Sequence, residues 1–146
     1  MSVAETVHTT TAKDPSWDEL VVGLEVGPLR YVVTPEMVAD FCAALPVDAQ
    51  PYGTGGICAD PVMPPTLLAT DYIPLLRGHL ELGWGLMSKH AVKSLRPIRV
   101  NDTVTVAGGV TDKFVKKGRH YWTLQYEVRN SAGEPCLQAT ITCSVD

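Results

Sequence analysis

The stretch "HYWTLQYEVRN", residues 120–130, alternates: His120, Trp122, Leu124, Tyr126 and Val128 fall on one side of an extended chain, Tyr121, Thr123, Gln125, Glu127 and Arg129 on the other. A period of two with one apolar face is the pattern of a half-buried antiparallel strand. The turn "NSAGE" (130–134) follows, and Leu137, Ala139, Ile141, Cys143 and Val145 then repeat the alternation. Upstream, "NDTVTVAGGVTDKFV" (101–115) runs into the turn "KKG" (116–118), which predicts a hairpin with the strand at 120. Another strand, over about 85–95, places Leu86, Ser88, His90, Val92 and Ser94 on one side and Met87, Lys89, Ala91, Lys93 and Leu95 on the other. Four such strands offer four apolar faces that something must cover.

The segment "MPPTLLATDYIPLLRG" (63–78) can cover them, because it is apolar on nearly every side. Pro65 suits a first helical turn, whereas Pro74 lacks the N–H of a continuing helix, so a kink or stop is expected near residue 73, and glycines 78, 83 and 85 end the segment. Earlier, "GPLRYVVT" (27–34) reads as a short strand, and Thr34-Pro35-Glu36 opens a helix with a hydroxyl cap, a proline and an acid in the first turn. That helix, about 35–45, is expected to bury Met37, Val38, Phe41 and Leu45. The fold class is therefore α+β: an antiparallel β-sheet of about five strands wrapped around a central α-helix. Residues 1–14, Thr-rich and unpatterned, are expected to form a flexible N-terminal tail, with packing beginning near Trp17 and residues 15–146 forming a single domain.

Composition removes several functions. A formal net charge of −4 lacks the basic excess of a nucleic-acid binder, and an apolar fraction of 45% is too high for a disordered chain. Cys42, Cys58, Cys136 and Cys143 form no C-x-x-C pair and have no histidines at metal-ligand spacing, so they read as reduced thiols rather than metal ligands. No run approaches the ~20 apolar residues of a membrane span, and the N-terminus lacks a signal-peptide pattern. A soluble, cytoplasmic protein with neither nucleic-acid nor membrane partner is expected.

Five stretches carry a more specific reading: "VGLEVGPLRYVVTPEMVADFCAAL" (22–45), "DAQPYG" (48–53), "MPPTLL" (63–68), "SLRPIRVNDTVTV" (94–106) and "KKGRHYWTLQYEVRNSAGE" (116–134). In this order and spacing the chain resembles the MaoC-like hot-dog dehydratases and hydratases, in particular the FAS1-like branch of MaoC N-terminal dehydratase domains. The resemblance implies a hot-dog fold and an (R)-3-hydroxyacyl thioester dehydratase or enoyl thioester hydratase acting on an acyl chain carried by coenzyme A or a carrier protein. It implies a homodimer, or a heterodimer with another hot-dog chain, and no metal, nucleotide or redox cofactor. Two alternatives stand beside it: a non-catalytic hot-dog subunit completing the substrate tunnel of an active partner, and a biosynthetic hot-dog enzyme acting on a non-thioester substrate.

Active members of that group carry D-x-N-P-x-H after the first helix, and the matching positions here are Asp48, Ala49, Gln50, Pro51, Tyr52 and Gly53. The acid and the proline remain; the histidine is replaced by glycine. The resemblance places Asp48 at the family's acid position, with Gln50 and Gly53 bordering the substrate. Tyr52, a phenol ionising near ~10, would orient a carbonyl or hydroxyl rather than remove a proton. In the family, backbone amides at the start of the buried helix polarise the thioester carbonyl; here Pro64 and Pro65 stand there without N–H groups, leaving Thr66 and Leu67.

Each candidate also has a plain structural reading. Asp48 before a Pro-Gly segment suits a turn cap, and Tyr52 suits packing. His90 shares a face with Val92 and would serve either as a core histidine or as a replacement base. Asp71, an acid inside an apolar segment, must be paired or border a polar cavity. Lys113, Lys116, Lys117 and Arg119 would meet the phosphates of coenzyme A or an acidic carrier, or simply be solvated; His120 lies by the same hairpin, and His79 follows a glycine at a helix end.

Overall fold

The computed structural model describes residues 20–71, 73 and 85–145. Its elements are strand β1 (Glu25–Val32), helix α1 (Pro35–Ala44), strand β2 (Gly85–Ser94), strand β3 (Thr103–Lys116), strand β4 (Arg119–Arg129) and strand β5 (Pro135–Val145). Two short 3₁₀ helices, Gln50–Tyr52 and Pro65–Thr70, lie between α1 and β2. The strands form one antiparallel sheet in the order β1-β3-β4-β5-β2, with β1 and β2 at opposite edges. The five-stranded hot-dog sheet read from the sequence is thus present. The expected tail at 1–14, Trp17, His79, Pro74 and the end of the central helix lie outside the described residues.

Alternation places the core as expected. Trp122, Leu124, Tyr126 and Val128 of β4 are buried, as are Leu137, Ala139, Ile141 and Cys143 of β5 and Val104, Val106 and Val110 of β3. Directly opposed pairs such as Leu124 with Ile141 and Val106 with Val128 close the inner face. Each fully buried aliphatic side chain stabilises the fold by roughly 1.5–3 kcal/mol. The sheet curls around Gly108, where a Cβ would lie 2.1 Å from the Gln125 carbonyl oxygen, so only glycine allows β3 to approach β4 this closely. A bulge between Val110 and Asp112 adds to the bend.

Three local expectations are corrected. Helix α1 starts as read, with Thr34 Oγ1 accepting the Met37 N–H at 3.2 Å, but it buries Val38 and Cys42. Leu45 is exposed because the helix ends at Ala44 and Leu45 leaves the helical conformation as its C-cap. In β2 the register shifts between Met87 and Lys89, so Ser88 is an extra residue. Beyond it the alternation resets: Met87, His90, Val92 and Ser94 oppose the inward residues Cys143, Ile141, Ala139 and Leu137, whereas Leu86, Lys89, Ala91 and Lys93 take the outer face. The described start of the central helix is 3₁₀ rather than α. Pro65 cannot donate, and the Pro64 carbonyl instead takes the Leu67 N–H three residues on, at 3.0 Å.

Candidate functional site

The loop that follows α1 is held by its own backbone. Asp48 Oδ1 accepts the Gln50 N–H at 3.0 Å, which starts the 3₁₀ turn Gln50–Tyr52, and Ala49 and Gln50 carbonyls accept the N–H groups of Tyr52 and Gly53. The chain then folds back so that the Ile57 N–H reaches the Pro51 carbonyl at 2.8 Å. Gly56 permits this return, since a Cβ there would lie 2.1 Å from the Pro51 oxygen. Asp48 and Gln50 are exposed, while Tyr52 is half-buried and packs on the core.

Further backbone bonds dock the loop beside the end of β1. The Tyr52 carbonyl accepts from Val62, Val62 bridges Arg99, the Pro61 carbonyl accepts from Val100, and the Asn101 N–H reaches Val33 at 2.6 Å. The 3₁₀ helix Pro65–Thr70 continues from this platform. Its Leu67 N–H is occupied by Pro64, so of the two amides Thr66 is the one with no hydrogen bond among the described residues. A cavity of about 20 Å³ lined by Pro65, Met63, Arg96, Ile98, Cys136 and Leu137 opens beside this start, the size of a water molecule rather than an acyl chain.

Asp71 caps the far end of that helix and is buried, at 8% exposure. The Tyr31 hydroxyl, projecting from the inner face of β1 opposite Val104, donates to Asp71 Oδ2 at 2.5 Å. No described residue donates to Oδ1. From β4, the Tyr126 hydroxyl is shared between the carbonyls of Leu68 at 3.1 Å and Ala69 at 2.8 Å. Two tyrosines from two strands thereby fix the helix end and its acid. Burial pushes the Asp71 carboxyl up to about 6, against which the Tyr31 hydrogen bond acts by favouring the ionised form. Tyr31 is held well above the usual phenol range, first by burial, then by the charge of Asp71 and its hydrogen bond, and by Tyr126.

His90 sits on the inner side of β2, half-buried and opposite Ile141. Three strands separate it from β1, about 19 Å measured along the sheet at the usual strand spacing, so His90 and the Tyr31–Asp71 pair lie on opposite edges. Lys116 and Arg119 are exposed at the β3–β4 hairpin, near the stacked rings of Phe114 and Tyr121, whose centroids are 5.0 Å apart. Burial raises the Cys143 thiol to about 11 and also raises Cys136, and all four cysteines are free. Among the described residues there is no cluster of metal-ligating side chains and no helix long and apolar enough to cross a membrane.

Among the sequence candidates, the structure groups Asp48, Gln50, Tyr52 and Gly53 in one loop and Pro65, Thr66, Leu67 and Asp71 on the following helix, with His90 apart. Tyr31 and Tyr126 were not legible as site residues. Tyr31's signal was its place between Leu29 and Val33 on the inward side of β1, where a hydroxyl needs a partner.

No family model and no curated protein matches the chain by sequence. Solved structures do match. An (R)-hydratase from A. caviae involved in PHA biosynthesis superimposes with a TM-score of 0.74 at 19% identity, over 87% of this chain and 98% of that one. A MaoC-like dehydratase from Rhodospirillum rubrum gives 0.70 at 19% identity, over 88% and 94%. The C-terminally truncated HadBC (3R-hydroxyacyl-ACP dehydratase) complex from Mycobacterium tuberculosis gives 0.70 at 15%, over 82% and 93%. The chain has the hot-dog fold of the MaoC-like dehydratases and (R)-hydratases, as its sequence resemblance implied.

Proposed function

We propose that this protein is an (R)-3-hydroxyacyl thioester dehydratase or enoyl thioester hydratase, working on an acyl chain carried by coenzyme A or a carrier protein. The observation that carries the reading is the buried carboxyl group of Asp71, held by Tyr31 beside the loop-bearing end of β1, in a fold whose solved examples include hydratases and dehydratases. Addition or loss of water next to a thioester needs a positioned acid and base, and a carboxyl buried among apolar groups is suited to exchange a proton near neutral pH. In this reading the loop residues Asp48, Gln50, Tyr52 and Gly53 border the acyl group, and the free Thr66 amide faces the thioester carbonyl.

Edge strand β2 is the place for a second hot-dog chain, whether a copy or a different partner. Among the described residues its outer edge has no neighbour in the sheet, and Leu86, Met87 and Val92 on it, with Leu95 just past its end, are exposed. The test is to incubate the purified protein with crotonyl-CoA and longer 2-enoyl-CoA esters, following loss of the conjugated thioester. Formation of the (R)-3-hydroxyacyl product is expected; absence of turnover, alone and with a hot-dog partner, rejects the reading.

A second reading is favoured by Gly53, which has no side chain where the family has an imidazole, and by the missing N–H groups of Pro64 and Pro65. In it the chain is a non-catalytic subunit, and hydration appears only on co-expression with a hot-dog chain bearing an intact D-x-N-P-x-H loop.

A further inference from the structure

We propose that Asp71, oriented by Tyr31, is the proton-transferring residue of this site and performs both halves of the acid–base chemistry that the family assigns to an acid and a histidine. This inference rests on the hydratase reading above. Its basis is a contrast between two acids. Asp48 is exposed and accepts the Gln50 N–H at Oδ1, so its carboxyl lies at the surface at the head of a turn. Asp71 is buried, with one oxygen fixed by the Tyr31 hydroxyl and with Oδ1 unengaged by any described residue. A carboxyl with one oxygen anchored presents the other in a set direction, which is what proton transfer at a carbon requires.

The surroundings suit the same role. Among the described residues, the titratable side chain that acts on Asp71 is the Tyr31 phenol from β1, and no cation among them holds the carboxyl permanently ionised. If position 71 needed only an acceptor for Tyr31, an amide would serve without a charge in an apolar setting. An acid there is a costly choice unless its proton is used.

In the dehydration direction, Asp71 Oδ1 as carboxylate takes the proton from the α-carbon of the (R)-3-hydroxyacyl thioester. The C–H electron pair becomes the second bond between the α- and β-carbons, and the β-carbon–oxygen bond breaks with its electrons on the departing hydroxyl. The proton now on Asp71 passes to that hydroxyl, water leaves, and the carboxylate is restored. Hydration is the reverse sequence, and no other reactant is consumed.

The experiment compares wild type, Asp71→Asn and Tyr31→Phe in the dehydration of (R)-3-hydroxybutyryl-CoA, together with binding of crotonyl-CoA. Asn at 71 can still accept from Tyr31, so this variant is expected to fold and to bind the thioester. Its kcat is expected to drop by about 10²–10⁴-fold, the usual loss for a positioned acid or base. In wild type, kcat/KM is expected to rise with pH through the Asp71 ionisation at about 6, and Tyr31→Phe is expected to move that limb to higher pH by removing the donor that favours the carboxylate. Asp71→Asn retaining turnover within about tenfold of wild type, or a pH limb unmoved by Tyr31→Phe, overturns the inference and leaves the hydratase reading standing. A wild-type protein without turnover, alone and with a hot-dog partner, removes that reading and this inference with it.

Discussion

The Tyr126 hydroxyl lies 2.8 Å from the carbonyl oxygen of Ala69, and the same hydroxyl reaches Leu68 at 3.1 Å. A side chain from the middle of β4 thereby supplies a donor to the Ala69 carbonyl and adds a second one to the Leu68 carbonyl, which already accepts the Asp71 N–H at 3.2 Å. Tyr126→Phe is expected to lower stability by about 1–3 kcal/mol, because the Ala69 carbonyl loses this donor while the ring still packs. Urea unfolding of the two proteins measures this; a change below about 0.5 kcal/mol would mean that the carbonyls find another donor.

Asp71 gives stability an unusual pH dependence. Its carboxyl ionises at about 6 in the fold, against 3.8 as the ordinary value, so between these pH values the folded state holds more protons than the unfolded state. Stability from this group is full below about 3.8 and declines as pH rises through about 6. At neutral pH the ionised acid costs about 3 kcal/mol, the free-energy equivalent of that gap. Asp71→Asn is therefore expected to be more stable than wild type at pH 7.5 and to lose the advantage toward pH 4, read from denaturant midpoints. A variant less stable than wild type at pH 7.5 would show that the charge is compensated.

Gly56 is expected to tolerate no side chain. The Cβ of Gly56→Ala would overlap the Pro51 carbonyl at 2.1 Å, backbone against backbone, and the Ile57-to-Pro51 hydrogen bond closes the same bend. The loop must open, at a cost of about 1–3 kcal/mol. Hydrogen exchange at the Ile57 amide should accelerate, and thioester turnover should fall with it if this loop borders the acyl group.

The β2 edge is expected to support association. Val92, inward-facing and 41% exposed, lies near the middle of the strand. Val92→Asp should convert a dimeric species to monomer in light scattering, with the monomer fold preserved in circular dichroism. A wild-type protein that is monomeric at micromolar concentration and gains no partner strand would refute this surface.

Much of the fold was legible because alternation and helix capping are local. The inward residues of β4 and β5 and the Thr34 cap follow from spacing alone, while the first strand, read at 27–34, lies at Glu25–Val32. What escaped the sequence depended on single residues that reset a period or on distant partners. The Ser88 bulge moves Leu86 to the outer face, the early C-cap exposes Leu45, and the two prolines give the described start of the central helix, Pro65–Thr70, its 3₁₀ form. In the site, Asp71 stood out as an acid in apolar surroundings, yet its partner Tyr31 is 40 residues away and shows no pattern that names it.

The bulge at Ser88 also bears on solubility. Past it, Lys89 and Lys93 lie together on the outer face of an edge whose inner side is apolar. One strand can add against the apolar side, but repeated stacking of copies into a fibril would bring rows of ammonium groups together along the growing axis, where each like-charge neighbour opposes the next. Deleting Ser88 would remove the bulge and leave Leu86, Lys89, Ala91 and Lys93 on the outer face, in strict alternation with Met87, His90, Val92 and Ser94. Replacing both lysines by alanine should put more of the protein in inclusion bodies, through the loss of that charge.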